Sequence, residues 1–455
     1  MTELTIQEVA EAVGSESDAG GLITSVSTDS RKITGRCLFV ALEGERFDGH
    51  QFVQSAIEQG AAAALVHKGE YDKSLPVIRV KNTGKALMAL AAYYRSLFSV
   101  PVVGVTGSVG KTTTKDMTAA VLSARYKTIK TQGNLNNEIG LPMTVFSFDK
   151  DTQAAVIEMG MSNLGEIEAL SKVAQPDIAI ISNIGVSHLQ TLKTRENILK
   201  AKLEILSGMK KGSPVLLNGD NDLLVTVKNP DFKIYLYGIE NPNVDFKAEN
   251  IEERGTCTTF TVVYKELRVP VTLPTIGVHN VLNALAAFGA GQLLGVPAEE
   301  CAKALEGYAP SGMRQKIVDF HGITIIEDCY NASPDSMRAA LTTLAGMKAG
   351  GRRFAVLADM LELGDISERS HFEIGKLAGD LKIDVLYCYG NMARFIVQGA
   401  KQSGMKKCRI FEDKQELAEE LKEELKPSDA VLFKGSRGMM LEDIINDLYG
   451  EECGK

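Results

Sequence analysis

The segment from Val102 to Asp116 reads VVGVTGSVGKTTTKD and decides the fold. Its apolar start predicts a buried strand, and its end predicts a helix that begins near Lys111. A glycine-rich turn between strand and helix gathers backbone N–H groups and the positive helix end around one point, where a polyphosphate binds. The spacing is unusual, because only two residues separate Gly107 from Gly110, whereas the common P-loop has four residues between its glycines.

The shorter turn keeps the groups that the chemistry needs. Lys111 can reach the β- and γ-phosphates of a nucleotide, and the Thr112 hydroxyl is a suitable ligand for Mg²⁺. Glycines let the backbone approach phosphate oxygens closely. The sequence therefore predicts a nucleotide site formed by Gly107, Ser108, Val109, Gly110, Lys111, Thr112 and Thr113.

The composition is that of an ordinary globular protein, and 455 residues allow roughly three domains. A net charge of -8 without clustered Lys or Arg argues against nucleic acid as a partner. The acidic N-terminal segment resembles no signal peptide, and no apolar run has the length that membrane insertion requires. Seven cysteines without a C-x-x-C pair indicate a reducing compartment. We expect a cytoplasmic monomer.

Short apolar runs alternate with helical patterns along most of the chain, which predicts an α/β protein. We expect a small N-terminal α/β domain over residues 1–80 and a central P-loop domain with a mostly parallel sheet over residues 81–310. A C-terminal Rossmann-like, doubly wound domain is expected over residues 311–455. Within the central domain, residues 257–274 alternate between apolar and polar side chains, which predicts additional antiparallel strands.

Polar side chains follow two further predicted strands. Glu158 ends the run AAVIE, and His188 comes shortly after IAIISN. Ligands of open α/β sheets bind at the carboxyl ends of the strands, so both residues are candidate metal ligands. Taken alone, each is more often a hydrogen-bonded loop residue, and Mg²⁺ prefers oxygen to the nitrogen of histidine. By its residue chemistry alone, Lys202 in the predicted helix ENILKAKLEIL is expected to be a solvent-exposed lysine.

Five segments, in this order, resemble the Mur ligases, the ATP-dependent amide-forming enzymes of peptidoglycan assembly: GVTGSVGKTTTKD, EMGMSNLGEIEAL, NIGVSHL, AKLEI and GVHNVLNALAA. The shortened P-loop is part of the resemblance. Within the family, TQGNLNNEIGLPMTV, EDCYNASPDSM, VLADMLELG and LFKGSRGM resemble the member that adds a dipeptide. Ser333 and Ala358 stand where asparagine and glycine are usual in that member, and neither change removes a ligating group.

The resemblance implies an enzyme that joins D-alanyl-D-alanine to UDP-N-acetylmuramoyl-tripeptide. ATP would phosphorylate the terminal carboxylate of the tripeptide, and the amino group of the dipeptide would attack the resulting acyl phosphate. Carboxylate and γ-phosphate are both anionic, so Lys111 and two Mg²⁺ ions are expected to neutralise their approach.

The resemblance also assigns roles to individual residues. Thr112 and Glu158 would hold one Mg²⁺, and His188 with a carbamylated Lys202 would hold the second. The implied catalytic residues are Lys111, Lys202, His188 and Arg314. Asn280, Asn283, Arg314 and Asp328 would complete the ATP site. The substrate would contact Ser30, Arg31, Asp48, Gly49 and His50 of a UDP-sugar-binding first domain, and Asn134, Asn136, Asn137, Tyr330 and Asn331 at its peptide end.

Two alternative functions remain open at this point. One is another Mur-type ligase with a different amine, either the enzyme that adds the third amino acid or a folylpolyglutamate synthetase. The segments YNASP and KGSRG favour the dipeptide-adding member. The other is a non-catalytic P-loop protein or nucleotide switch, which needs no binding site for an amine substrate.

Overall fold

The computed structural model describes residues 1–310, 312–347 and 350–450, which form three main sheets covered by helices. Residues 311, 348–349 and 451–455 of the expected third domain lie outside the described part. Short 3₁₀ turns occur at Ser30–Lys32, Gly49–Phe52, Glu204–Gly208, Leu224–Thr226, Gly364–Ile366 and Arg437–Met439. Within the described residues, no helix is both long and apolar enough to cross a membrane.

The first part of the chain contains a small parallel sheet. The strands of this part of the chain are β1 (Leu4–Thr5), β2 (Leu22–Ile23), β3 (Ser25–Ser27), β4 (Cys37–Val40), β5 (Glu43–Gly44), β6 (Phe47–Asp48), β7 (Ala61–Val66) and β8 (Val77–Arg79). The sheet has the order β3-β4-β7-β8, and β1-β2 and β5-β6 are separate antiparallel pairs. The helices are α1 (Ile6–Ala12), α2 (Val53–Glu58) and α3 (Thr83–Ser96).

The central sheet has nine strands. They are β9 (Val102–Thr106), β10 (Thr128–Lys130), β11 (Ala154–Glu158), β12 (Ile178–Ile181), β13 (Pro214–Asn218), β14 (Lys233–Gly238), β15 (Phe246–Arg254), β16 (Cys257–Tyr264) and β17 (Leu267–Leu273). Their order is β10-β11-β9-β12-β13-β14-β15-β16-β17. Pairs from β10 to β15 are parallel, and β16 and β17 extend the sheet in antiparallel fashion, as the alternating sequence predicts.

Seven helices flank this sheet among the described residues: α4 (Lys111–Ser123), α5 (Gly140–Phe146), α6 (Glu166–Ala174), α7 (Leu189–Leu192), α8 (Arg195–Leu203), α9 (Val278–Leu293) and α10 (Ala298–Glu306). Successive strand residues point to opposite faces. Val102 therefore belongs to one core, together with residues of the first domain, and Val103 and Val105 belong to a second core beneath α4 and α9. Burial on both faces explains the continuous apolar strands.

The third sheet has the order β18-β19-β23-β20-β21-β22. The strands are β18 (Lys316–Phe320), β19 (Ile323–Glu327), β20 (Arg353–Ala358), β21 (Val385–Tyr389), β22 (Cys408–Phe411) and β23 (Ala430–Lys434). All pairs except β18 with β19 are parallel. The helices are α11 (Pro334–Gly346), α12 (Ser367–Asp380), α13 (Ala393–Gln402), α14 (Lys414–Glu424) and α15 (Glu442–Tyr449). The expected α/β class with a doubly wound C-terminal sheet is confirmed.

Candidate functional site

The P-loop connects β9 to α4, as the sequence predicts. Gly110 precedes the helix in a left-handed conformation, and Gly107 also has a positive φ of 150°. A Cβ at position 107 would lie 2.0 Å from Ser182 Oγ, and one at position 110 would lie 2.7 Å from Asn283 Oδ1. Both positions therefore require glycine. The Lys111 ammonium donates a hydrogen bond to the carbonyl of Gly107 at 2.9 Å, folding back over the loop.

A cavity of about 610 Å³ lies between the central and third sheets, at the carboxyl ends of their strands. It brings together sixteen of the residues that the sequence analysis singled out. They are Ser108, Val109, Gly110, Lys111, Thr112, Thr113, Asn136, Asn137, Glu158, His188, Asn280, Asn283, Arg314, Asp328, Tyr330 and Asn331. Open α/β sheets place their ligands at this edge, so the cavity is the candidate active site.

The other candidate residues do not line this cavity. Gly107 is buried at the start of the P-loop, Asn134 is exposed on the loop after β10, and Lys202 is buried on α8. Ser30, Arg31, Asp48, Gly49 and His50 belong to the first domain. There, the Asp48 carboxylate accepts a hydrogen bond from the backbone N–H of His50 at 3.0 Å. His50 Nε2 accepts a hydrogen bond from the backbone N–H of His67 at 3.2 Å, so the side chain of His50 joins this turn to the segment after β7.

Glu158 is the carboxylate at the centre of the candidate site. It is 1% exposed, and its two oxygens accept hydrogen bonds from Thr112 Oγ1 and Asn136 Nδ2, both at 2.8 Å. Lys115 Nζ lies 4.0 Å from the same carboxylate. A hydroxyl and a carboxylate beside a phosphate-binding loop suit Mg²⁺, which takes its other ligands from substrate phosphates and water. Consistent with this small donor set, the described residues contain no cluster of three or more His, Cys, Asp and Glu positioned for a metal.

Lys202 is buried, which corrects the expectation from residue chemistry that it is solvent-exposed. It is 1% exposed on α8, and no carboxylate in the described part of the chain forms an ion pair with it. Burial, reinforced by the positive charge of Lys111, lowers the pKa of Lys202 well below its ordinary value. Burial without an ion-pair partner favours the neutral amine over the ammonium, and the neutral amine is the form that reacts with CO₂. The environment therefore fits a carbamate.

His188 lines the same cavity and follows β12 in a left-handed backbone conformation with φ of 62°. Burial lowers the pKa of its imidazole, and the positive charges of Lys202 and Lys111 lower it further. Burial likewise lowers the pKa of Lys111, and the Glu158 carboxylate opposes that shift. The protonated forms of these groups are thus disfavoured in the protein alone, and the negative charge of a bound polyphosphate would stabilise them.

A chain of buried amides links the P-loop helix to the third domain. Thr114 Oγ1 donates to Asn283 Oδ1 at 3.0 Å, and Asn283 Nδ2 donates to Asn280 Oδ1 at 3.3 Å. Asn280 Nδ2 in turn donates to Gln315 Oε1 at 2.7 Å. The chain holds α4, α9 and the segment before β18 in a fixed relation.

The third domain contributes charged groups from its own strand ends. Asp328 follows β19, and its carboxylate accepts a hydrogen bond from the buried ammonium of Lys434 at 2.6 Å. The guanidinium of Arg314 stacks on the ring of Tyr330, 4.0 Å from its centroid. The sequence analysis missed Lys434, although it ends the apolar strand β23 and the strand-edge argument applies to it equally. It also missed Asn183, whose Oδ1 accepts from the P-loop N–H of Val109 at 2.8 Å.

The third domain contacts the central domain closely beside the P-loop. A Cβ built on Gly185 would lie 2.0 Å from Asp335 Oδ2, near the start of α11. That oxygen is buried without a hydrogen-bond partner among the described residues. Burial raises the pKa of Asp335, and the backbone N–H of Val186 lowers it by hydrogen bonding to the carboxylate. Such close packing requires glycine at position 185.

The two departures from the family pattern are structurally accommodated. Ser333 caps α11, because its hydroxyl accepts a hydrogen bond from the backbone N–H of Ser336 at 3.4 Å. Serine and asparagine are both favoured in this position. Ala358 ends β20, is fully buried and pairs with Tyr389 of β21. Neither substitution replaces a side chain that is proposed to bind a metal ion in the cavity.

Comparisons with known proteins agree with this arrangement. Family models match in three consecutive segments: the Mur ligase family, catalytic domain (residues 22–95), the Mur ligase middle domain (residues 105–291) and the Mur ligase, glutamate ligase domain (residues 313–437). The UDP-N-acetylmuramoyl-tripeptide–D-alanyl-D-alanine ligase of Bacillus subtilis is 42% identical, with 98% of this chain and 99% of that protein covered.

Solved structures show the same similarity over the whole chain. A crystal structure of MurF from Acinetobacter baumannii has a TM-score of 0.91 and 32% identity, covering 99% of each chain. MurF ligase from Thermotoga maritima in complex with ADP has a TM-score of 0.85 and 28% identity, covering 94% of this chain and 98% of that one. Since the fold, the short P-loop and all three family segments agree in order along one chain, this protein belongs to the Mur ligase family.

Proposed function

We propose that this chain is an ATP-dependent ligase that joins D-alanyl-D-alanine to UDP-N-acetylmuramoyl-tripeptide, with release of ADP and phosphate. The observation that carries the proposal is a single cavity in which the P-loop around Lys111 faces Tyr330 and Asn331 of the YNASP segment. Relatives that match the chain over nearly its whole length bear the name of this activity. The ADP complex of the Thermotoga maritima relative supports a nucleotide as the ligand of the P-loop.

The geometry supports two successive steps. The P-loop N–H groups and Lys111 hold the γ-phosphate while its bond to the β-phosphate oxygen breaks and a bond to the tripeptide carboxylate forms. The positive charge of Lys111 stabilises the negative charge that builds up on the transferring group. The neutral amine of D-alanyl-D-alanine then attacks the acyl carbon, the phosphate leaves with the bonding electrons, and the nitrogen loses a proton as the amide forms. Arg314 and Asp328 approach the nucleotide from the third domain.

The metal donors belong to the same proposal. Thr112 and Glu158 would hold one Mg²⁺, and His188 with the carbamate of Lys202 would hold the other. When bound, Mg²⁺ neutralises the charges of the phosphates and of the acceptor carboxylate. The carbamate forms when the neutral Lys202 amine adds to CO₂ and releases a proton, and it replaces a cation by oxygen donors suited to Mg²⁺. Glu158 is held ready by the hydrogen bonds from Thr112 and Asn136.

The substrate would extend from the first domain to the cavity. We propose that the UDP end binds near Ser30 and Arg31 and the turn from Asp48 to His50. The side chain of Arg31 is 86% exposed and therefore accessible. The loop that contains Asn134, Asn136 and Asn137 would receive the peptide end together with Tyr330 and Asn331. We also propose that the chain acts as a monomer, since a single chain supplies the residues that line the cavity. A cytoplasmic location is proposed from the free cysteines, which suit a reducing compartment.

A substrate panel tests this function. Phosphate release is measured with ATP, Mg²⁺ and UDP-N-acetylmuramoyl-tripeptide, and the amine is varied among single amino acids and dipeptides. We expect turnover with D-alanyl-D-alanine and almost none when the tripeptide or the amine is omitted. Equal turnover with a single amino acid would favour a different Mur-type ligase. Phosphate release from ATP at a rate that depends on neither the tripeptide nor the amine would favour a nucleotide switch.

A further inference from the structure

Glu362 lies on the third domain and reaches the candidate site across the domain interface. Its Oε2 lies 3.3 Å from Nδ1 of His188 on the central domain. Two residues further on, a Cβ at Gly364 would lie 3.1 Å from the Cβ of Gln190. The loop after β20 therefore packs directly on the segment that follows His188.

The backbone on both sides of this contact is unusual. His188 and Glu362 both have a φ of 62°, a left-handed conformation that is unfavourable for residues other than glycine. Glycine would adopt the conformation at position 362 without this strain. Strained residues persist where the surrounding structure holds them in place, and they concentrate at functional sites.

The loop that carries Glu362 is held rigidly on its own domain. The backbone N–H of Met360 donates to Nε2 of the buried His371 at 2.9 Å. His371 Nδ1 donates to the carbonyl of Ser367 at 2.7 Å, which fixes the tautomer of the ring. The next N–H, of Leu361, donates to Ser436 Oγ at 2.9 Å. The position of Glu362 thus follows the position of the whole third domain.

We propose that Glu362 is a positioning residue that orients the imidazole of His188 when the third domain docks on the central domain. Its carboxylate accepts a hydrogen bond from the Nδ1–H group of His188, and the unprotonated Nε2 remains available to a ligand in the cavity. Histidines that bind metals usually donate their other ring N–H to a carboxylate, carbonyl or water, and removing that partner costs about 10- to 100-fold in metal affinity or activity. The side chain of Glu362 is 71% exposed, so the effect belongs at the lower end of this range.

This inference rests on the proposed function for the role of His188, but its first test does not. The chain is labelled with ¹⁵N-histidine and observed by NMR at alkaline pH without nucleotide or metal. The signal of His188 is assigned among the six histidines with a His188→Gln variant. We expect the wild type to show Nδ1 protonated, and Glu362→Gly to shift the ring towards the Nε2-protonated tautomer. An unchanged His188 signal would overturn the inference, whatever the enzyme assay shows.

The second test separates positioning from folding. Because glycine relieves the left-handed strain, the melting temperature of Glu362→Gly should be no lower than that of the wild type. We expect kcat to fall about tenfold with the KM for ATP within about twofold. Glu362→Gln keeps an acceptor oxygen, so its kcat should fall less than that of Glu362→Gly. Glu373→Ala removes an exposed carboxylate from α12 of the same domain and should match the wild type. Equal kcat values in all four proteins would contradict the proposal, whereas an inactive wild type would contradict the proposed function.

Discussion

Replacing Gly185 by alanine tests whether the third domain docks as the structure describes. The new Cβ would lie 2.0 Å from Asp335 Oδ2 and 3.2 Å from its Cγ, whereas ordinary contacts begin at 3.4 Å. Rotation of the carboxylate relieves the overlap with the oxygen only in part, since the carboxyl carbon stays too close. With Asp335 in its present rotamer, the third domain would have to move by an amount of the order of 1 Å to restore an ordinary contact. Gly185 has no positive φ, so alanine introduces no backbone strain of its own.

The expected loss follows from that displacement. A misplacement of about 1 Å at a reacting centre costs about 100-fold in rate, or roughly 2.7 kcal/mol, and rotation of the Asp335 carboxylate would reduce the loss towards about tenfold. We expect kcat for phosphate release in the complete reaction to fall within this range. Binding of a fluorescent ATP analogue to the P-loop should persist, because the loop itself is built from the central domain.

A second substitution provides the control. Asp335→Ala removes the oxygen that is overlapped, and that oxygen has no hydrogen-bond partner among the described residues. The double variant Gly185→Ala with Asp335→Ala should therefore recover most of the lost kcat, giving a large coupling between the two positions. Full activity of Gly185→Ala alone, or a double variant as slow as the single one, would refute the docking that we describe.

Two further predictions concern Lys111 and Lys202. Lys111→Ala should lose about 100-fold or more in kcat, roughly 2.7 kcal/mol, because charge stabilisation at the γ-phosphate is removed; circular dichroism should show an intact fold, and wild-type turnover would contradict the role. Lys202→Ala should be strongly impaired and partly restored by short carboxylic acids. Since burial lowers the pKa of Lys202, acidification protonates the amine and favours loss of the carbamate, so wild-type activity should fall in acid and respond to bicarbonate. Near-normal Lys202→Ala activity would argue against the carbamate.

The sheets were predictable because local pattern and burial agree. Strands β9, β11 and β12 lie inside the central sheet, are buried throughout and are mostly apolar, and the half-exposed strands β16 and β17 alternate. The P-loop could be located for the same reason, since strand, glycines and helix follow one another in a short segment.

The remainder of the site depends on contacts between distant segments. Residue chemistry alone predicts an exposed Lys202, because the sequence of α8 does not show that the core encloses this position. The pairing of Glu362 with His188, and that of Asp335 with Gly185, join residues more than 100 positions apart. Such pairings follow from how two domains dock, which no local periodicity encodes. The resemblance to the Mur ligases directed attention to Lys202, and the structure supplies the physical reason in its buried amine.

The central claim is that the tripeptide carboxylate receives the γ-phosphoryl group in this cavity before the amide forms. An oxygen label tests that claim directly. UDP-N-acetylmuramoyl-tripeptide carrying ¹⁸O in its terminal carboxylate is turned over with ATP, Mg²⁺ and D-alanyl-D-alanine, and the released phosphate is analysed by mass spectrometry. An acyl phosphate requires one carboxylate oxygen to leave with each phosphate, so the account predicts one ¹⁸O atom transferred per amide bond formed. Phosphate without the label, alongside a normal yield of amide, would contradict the account.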